Sequence, residues 1–108
     1  MEVKPVSDIV GAEVVGVNLA NSIGDETKRV IRDALLKYQV LVIRDQNLTP
    51  HQQVTFSNLW GNLETPSNIE YTTKESAKVM ILSNEIRPDG TAVGVVDGGD
   101  FWHSDSSH

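Results

Sequence analysis

Hydrophobic positions change their spacing several times along the chain, and each change predicts a different element. Residues 8–19 alternate loosely between apolar and polar positions and contain two glycines, which predicts one or two short strands with a turn or bulge. Over residues 25–38, apolar side chains recur at helical spacing, which predicts an amphipathic helix capped by Asp25. The run 40–43 is continuously apolar, as in a strand buried on both faces.

A second helix begins with a strong capping signal. Thr49 has the side chain of an N-cap, Pro50 suits the first helical position, and Gln52 stands three residues after the threonine. Gly61 follows the last periodic apolar residue and is expected to stop this helix.

The second half of the chain is predicted to contain fewer regular elements. Residues 62–78 are polar and predict a long loop, and residues 79–82 predict another strand. Residues 87–100 are rich in glycine and aspartate and predict a mobile connection. Helices and strands together indicate an α+β class.

Composition excludes several classes of function. The chain has 108 residues, which suits one small domain, and its formal net charge of -6 argues against nucleic acid or an anionic membrane as a partner. The absence of cysteine excludes disulfides and cysteine-based zinc sites. No signal-peptide pattern or apolar run of transmembrane length is present. We therefore expect a cytoplasmic protein.

The residues 101–107 contain the main candidate for chemistry. His103 and Asp105 would face the same side of a strand, because alternate side chains share a face. An imidazole and a carboxylate are two of the three ligands in the two-His, one-carboxylate site of non-haem Fe(II) enzymes. The alternative is a surface turn in which Asp and Ser side chains bond to their own backbone.

The order of the sequence blocks carries a resemblance to a known family. The blocks lie at residues 11–19, 40–46, 48–61, 82–84 and 101–107. In this order they resemble the N-terminal part of the taurine dioxygenase and 2,4-dichlorophenoxyacetate dioxygenase family, over essentially the whole chain.

The resemblance implies a double-stranded β-helix, or jelly roll, that is incomplete here. Residues 1–108 would be the N-terminal portion of a single dioxygenase domain, ending just after the first iron-ligand motif. The implied activity is hydroxylation of a small organic, acidic substrate with Fe(II), 2-oxoglutarate and O2. His103 and Asp105 would be the proximal iron ligands.

Some parts of the family's site have no counterpart in this sequence. The distal His ligand and the Arg that binds 2-oxoglutarate follow the iron motif in the family, so the isolated chain is expected to be inactive. On a strand, His108 would face away from His103 and Asp105, which argues against it as the third ligand.

Substrate residues are also suggested by the resemblance. Thr65, Tyr71 and Asn84 lie where the family's substrate pocket begins, and a purely structural role is the alternative for each. Sulfonate recognition has no support in the residues near Thr65. We expect Trp102 to pack in the core beside the iron strand.

Two other functions are alternatives to the dioxygenase. One is a non-catalytic fragment or interaction module whose exposed sheet edges pair with another chain, which leaves a homo-oligomer open. The other is a helix-turn-helix around residues 49–63, which the acidic composition disfavours. A small-molecule substrate therefore remains the expected partner.

Overall fold

Three short strands and two helices form the regular structure of the computed structural model, which describes residues 1–64, 71–96 and 102–103. In chain order they are β1 (Glu2–Pro5), β2 (Ala12–Val15), α1 (Asp25–Tyr38), β3 (Leu41–Val42) and α2 (Pro50–Asn58). The chain divides into two compact units, Met1–Leu59 and Trp60–His108, and these five elements belong to the first. Neither helix is long and apolar enough to cross a membrane.

Strand β2 is the centre of the described sheet, whose order is β1-β2-β3. It runs antiparallel to β1 and parallel to β3, with Ala12 opposite Leu41. A parallel neighbour requires a crossover connection, and α1 supplies it. The core of this unit therefore lies between the inner face of β2 and one side of α1. Its buried apolar residues are Ala12, Val14, Leu19, Ile31 and Ala34.

The strand prediction for residues 8–19 is confirmed only for β2. Strand β1 was not predicted, because Glu2, Lys4 and Pro5 give it no apolar pattern. Its register against β2, with Glu2 opposite Val15, holds it in the sheet. Residues 8–10 instead lie in a turn in which the Ser7 hydroxyl accepts a hydrogen bond from the Val10 N–H at 3.0 Å.

The first helix has the predicted extent but not the predicted cap. Gly24 is the N-cap and makes no side-chain capping bond, so Asp25 is the first helical residue. A carboxylate there still favours the helix, because it faces the positive end of the helix dipole. On the outer face, Arg29 bonds Glu26 at 2.6 Å and Asp33 at 3.3 Å.

The prediction of a strand buried on both faces at residues 40–43 is wrong. Only Leu41 and Val42 pair with β2, and both are half-buried. Val40 is 53% exposed. The reason is that a continuous apolar run does not show which layers cover the two faces of a strand, and the described residues leave Leu41 and Val42 half-buried.

The capping box of α2 is confirmed. The Thr49 hydroxyl accepts from the Gln52 N–H at 3.2 Å, and the Thr49 N–H donates to Gln52 Oε1 at 2.9 Å. The prediction for Gly61 is wrong, because the helix ends at Asn58 and Leu59 is its C-cap.

The side chain of Gln46 joins the chain segments that follow β2 and β3. Its amide nitrogen donates to the carbonyl oxygens of Val17 and Arg44, each at 2.9 Å. Its amide oxygen accepts from the Leu19 N–H at 2.8 Å. The contact with Leu19 is part-buried, so this side chain satisfies backbone groups where water has little access.

The described part of the second unit is held by single backbone bridges. Ile81 donates to the carbonyl oxygen of Tyr71 at 2.6 Å, and Val95 donates to that of Ile81 at 2.9 Å. The regular strand predicted at residues 79–82 is therefore wrong, since only isolated bridges involve them. Gly94 allows the close approach, because a Cβ there would lie 2.5 Å from the Ile81 carbonyl oxygen.

The two predicted loops of this unit differ. The described residues of 62–78 contain no α-helix or strand, as expected, while 65–70 lie outside the described ranges. Within the described part of 87–100, residues 87–91 form a hydrogen-bonded turn, and the mobility of this connection stays a prediction. The backbone N–H of Arg87 donates to the Thr91 carbonyl oxygen at 2.8 Å, and Gly90 has a φ of 89°.

Replacing Gln46 by alanine is expected to lower the free energy of unfolding by about 1–3 kcal/mol, because the part-buried backbone groups lose their partners. Chemical denaturation measures the change. Gln53→Ala is the matched control: Gln53 is exposed on α2, and its loss should change stability by less than about 0.5 kcal/mol. Equal effects of the two substitutions would show that Gln46 has no special role.

Candidate metal centre

Trp102 and His103 are the described part of the candidate iron motif. Both are exposed and neither lies in a helix or strand. Trp102 has a relative exposure of 102%, so the prediction that it packs in the core is wrong. An indole packs only where a second layer covers it, and no described residue does so here.

Asp105 and His108 lie outside the described residues. The shared face of His103 and Asp105 therefore stays a prediction. Among residues 1–64, 71–96 and 102–103, no group of three or more His, Cys, Asp or Glu side chains could hold a metal. By donor chemistry, the imidazole and carboxylate of the motif fit Fe(II), which takes nitrogen and oxygen ligands in this class of site.

The candidate substrate residues lie on irregular segments. Tyr71 is half-buried and its carbonyl oxygen accepts the Ile81 N–H, which joins its segment to the one that carries Asn84. Asn84 is exposed beside a turn in which the backbone N–H of Glu85 donates to the Ser83 hydroxyl at 3.1 Å. Thr65 lies outside the described residues. A common pocket for these three side chains stays a prediction.

A groove in the first unit was not anticipated from the sequence. It has a volume of about 340 Å³ and lies where the segments after β2 and β3 diverge. Asp45 at its edge has a φ of 60°, which is uncommon for a residue other than glycine. The lining residues are Glu13, Val14, Val15, Gly16, Val17, Asn18, Arg44, Asp45 and Gln46.

The charges of this groove do not favour an anionic ligand. Arg44 pairs with Glu13 at 3.2 Å, and Asp45 adds a second carboxylate. The Gln46 amide already bonds to backbone groups. In the sequence, the polar residues Arg44, Asp45 and Gln46 at the end of the 40–46 block are the signal that corresponds to this groove. The family resemblance includes this block but gives these residues no structural role.

The turn before the iron motif contains one perturbed carboxyl group. The Thr91 hydroxyl donates to Asp89 Oδ1 at 2.6 Å, and the Thr91 N–H donates to the same oxygen at 2.9 Å. These bonds favour the charged form and hold the pKa of Asp89 below its ordinary value of 3.8, with the hydroxyl as the larger cause.

Comparison with known proteins gives a match over almost the whole chain. The family model described as "Taurine catabolism dioxygenase TauD, TfdA family" matches residues 2–108. The chain is 30% identical over 116 residues to an (S)-phenoxypropionate/alpha-ketoglutarate-dioxygenase of Sphingobium herbicidovorans. That alignment covers 99% of this chain and 36% of the relative. The chain thus spans about a third of the length of this curated relative.

Two solved structures show a similar backbone. A taurine dioxygenase from Burkholderia xenovorans has a TM-score of 0.58 and 39% identity, covering 59% of this chain and 24% of that one. The structure of AAD-2 in complex with Mn(II) and N-oxalylglycine has a TM-score of 0.58 and 27% identity. It covers 62% of this chain and 27% of that one.

Replacing Thr91 by valine is expected to raise the pKa of Asp89 toward 3.8, because the hydroxyl donor is lost. Because the pKa of Asp89 is lowered in the folded chain, its ionised carboxylate stabilises the fold at pH values above 3.8. This stabilisation is lost as the pH falls through the lowered pKa. Carboxyl carbon shifts measured by NMR report the titration. Thr55→Val is the control, and an Asp89 midpoint unchanged by Thr91→Val would contradict the assignment.

Proposed function

Because this chain belongs to the taurine catabolism dioxygenase TauD, TfdA family, we propose that it is the N-terminal portion of an Fe(II)- and 2-oxoglutarate-dependent dioxygenase domain. The observation that carries the proposal is the match over residues 2–108, which includes the His103 and Asp105 motif. The family uses Fe(II), 2-oxoglutarate and O2. The proposed reaction is hydroxylation of a small organic acid.

The proposed fold is a jelly roll to which this chain contributes its first part. The mixed sheet β1-β2-β3 and the two helices support this, because the chain aligns with dioxygenase structures at TM-scores near 0.6. The chain covers 24% and 27% of those two structures. The strands that close the β-helix would then correspond to the part of those two structures that this chain does not cover.

His103 and Asp105 are proposed to hold the metal. The imidazole would supply a nitrogen and the carboxylate an oxygen that also neutralises part of the ion's charge. When bound, the iron with its co-substrate supplies the oxidising power for hydroxylation. The Mn(II) of the similar AAD-2 structure supports a site for a divalent ion.

The proposed substrate class is a small organic acid. Phenoxypropionate and taurine, named for two similar proteins, both carry an acidic group. Thr65, Tyr71 and Asn84 are proposed to contribute to the pocket. Of these, Tyr71 has a side chain long enough to combine an apolar wall with a hydroxyl donor.

Binding of Co(II) to the purified chain, followed by its visible absorption, tests the metal assignment. We expect weak binding that falls at least about tenfold in His103→Ala and in Asp105→Ala, because each substitution removes a ligand. His51→Ala is the matched control, since His51 is exposed at the start of α2 and should not contribute.

Two outcomes would count against the proposal. Equal binding by the wild-type chain and both ligand variants would remove the motif from the metal site. The family's distal His and its 2-oxoglutarate-binding Arg have no counterpart among these 108 residues. Turnover of 2-oxoglutarate by the 108-residue chain alone would therefore contradict the proposal that the chain carries only part of the active site.

A further inference from the structure

The turn at residues 87–91 contains an Asp-Gly pair, a dipeptide in which the backbone itself can rearrange. Asp89 and Gly90 are both exposed. Gly90 has no Cβ, so its backbone nitrogen meets little steric hindrance on approaching the carboxyl carbon of Asp89. A succinimide ring can therefore form at this pair, and the ring later opens to aspartate or to isoaspartate.

The rearrangement needs no reactant other than water. The Gly90 nitrogen forms a bond to Cγ of the protonated Asp89 carboxyl group, and the bond from Cγ to the hydroxyl oxygen breaks. That hydroxyl leaves as water together with the proton of the Gly90 amide. Water then cleaves the ring between the nitrogen and the α-carbonyl carbon of Asp89. The chain now runs through the side chain of this residue, and its mass is unchanged.

The turn engages the nitrogen that would attack. The Gly90 N–H donates to the Arg87 carbonyl oxygen at 2.9 Å, which is the closing bond of a β-turn with Pro88 at its second position. A second backbone bond, from the Arg87 N–H to the Thr91 carbonyl oxygen at 2.8 Å, encloses the first. Attack requires the amide to lose its proton, and a hydrogen-bonded amide releases its proton only when the turn opens.

The turn also engages the carboxyl group that would be attacked. Asp89 Oδ1 accepts from the Thr91 hydroxyl at 2.6 Å and from the Thr91 N–H at 2.9 Å. These donors favour the ionised carboxylate, in which no hydroxyl is ready to leave as water. The hydroxyl is the larger cause of the lowered pKa of Asp89.

The Thr91 hydroxyl is itself held in place by Arg87. The Arg87 Nη1 donates to the Ala92 carbonyl oxygen at 2.6 Å and to the Thr91 hydroxyl at 3.3 Å. The hydroxyl accepts this bond and directs its own proton to Asp89. All of these bonds join residues within 87–92, so they do not depend on how any other part of a domain is placed.

We propose that Asp89 is a latent modification site, which the Thr91 hydroxyl keeps closed to isoaspartate formation. Both atoms that would form the new bond belong to groups that the turn already engages, the Gly90 amide and the Asp89 carboxylate. Loss of the hydroxyl releases the carboxylate and opens the site. This protection does not depend on the proposed enzymatic function.

Incubation of the purified chain at neutral pH, followed by electron-transfer fragmentation to locate isoaspartate, tests the proposal. The folded wild-type chain should form isoaspartate at Asp89 at least about tenfold more slowly than the chain unfolded in urea, because the bonds to Asp89 and Gly90 are lost on unfolding. In folded Thr91→Val the rate should rise about fivefold over wild type, the factor that corresponds to the loss of one hydrogen bond.

Two controls separate the hydroxyl from a general loosening of the chain. Thr91→Ser retains the hydroxyl and should form isoaspartate as slowly as the wild-type chain. Asp97 precedes Gly98 in the other Asp-Gly pair of the sequence, and Thr91→Val should leave its rate unchanged.

Four results would overturn the proposal. They are equal rates at Asp89 in the folded and unfolded wild-type chain, a Thr91→Val chain no faster than wild type, a Thr91→Ser chain as fast as Thr91→Val, and an equal rise at Asp97.

Discussion

A parallel pair of short strands that diverge after two residues is the constraint on which the first unit depends. Beyond Glu13 and Val42 no further β2–β3 pairs are formed, and the Gln46 amide bridges the gap with two hydrogen bonds, one to Val17 and one from Leu19. With so short a ladder, the positions of the segment after β2, and of Leu19 in the core, depend on one residue 27 positions away.

The sequence predicted those elements whose signals are local. The Thr49 and Gln52 capping box lies within four residues, and α1 shows its periodicity over fourteen residues, so both were predicted correctly. Strand β1 is polar and is held only by its register against β2, which no local pattern records. The prediction of a buried strand at 40–43 was wrong because burial depends on the layers that cover both faces of a strand, and the apolar run itself does not show those layers.

The candidate site was predictable as a motif but not as a geometry. His103 and Asp105 were identified by spacing and by resemblance, and the family match covers them. The structure adds that His103 is exposed, whereas the expectation that Trp102 is buried was wrong. Packing of an aromatic residue beside a motif depends on a covering layer, and the motif's own residues carry no information about that layer.

The chain belongs to a dioxygenase family and spans about a third of a relative's length. The central proposal that follows is a metal site centred on His103 and Asp105. Mn(II), which broadens NMR signals of nearby nuclei, tests it most directly. The account predicts that substoichiometric Mn(II) broadens the His103 and Asp105 signals first and leaves those of His51 sharp. Broadening centred on His51, or on the acidic residues of α1, would contradict it.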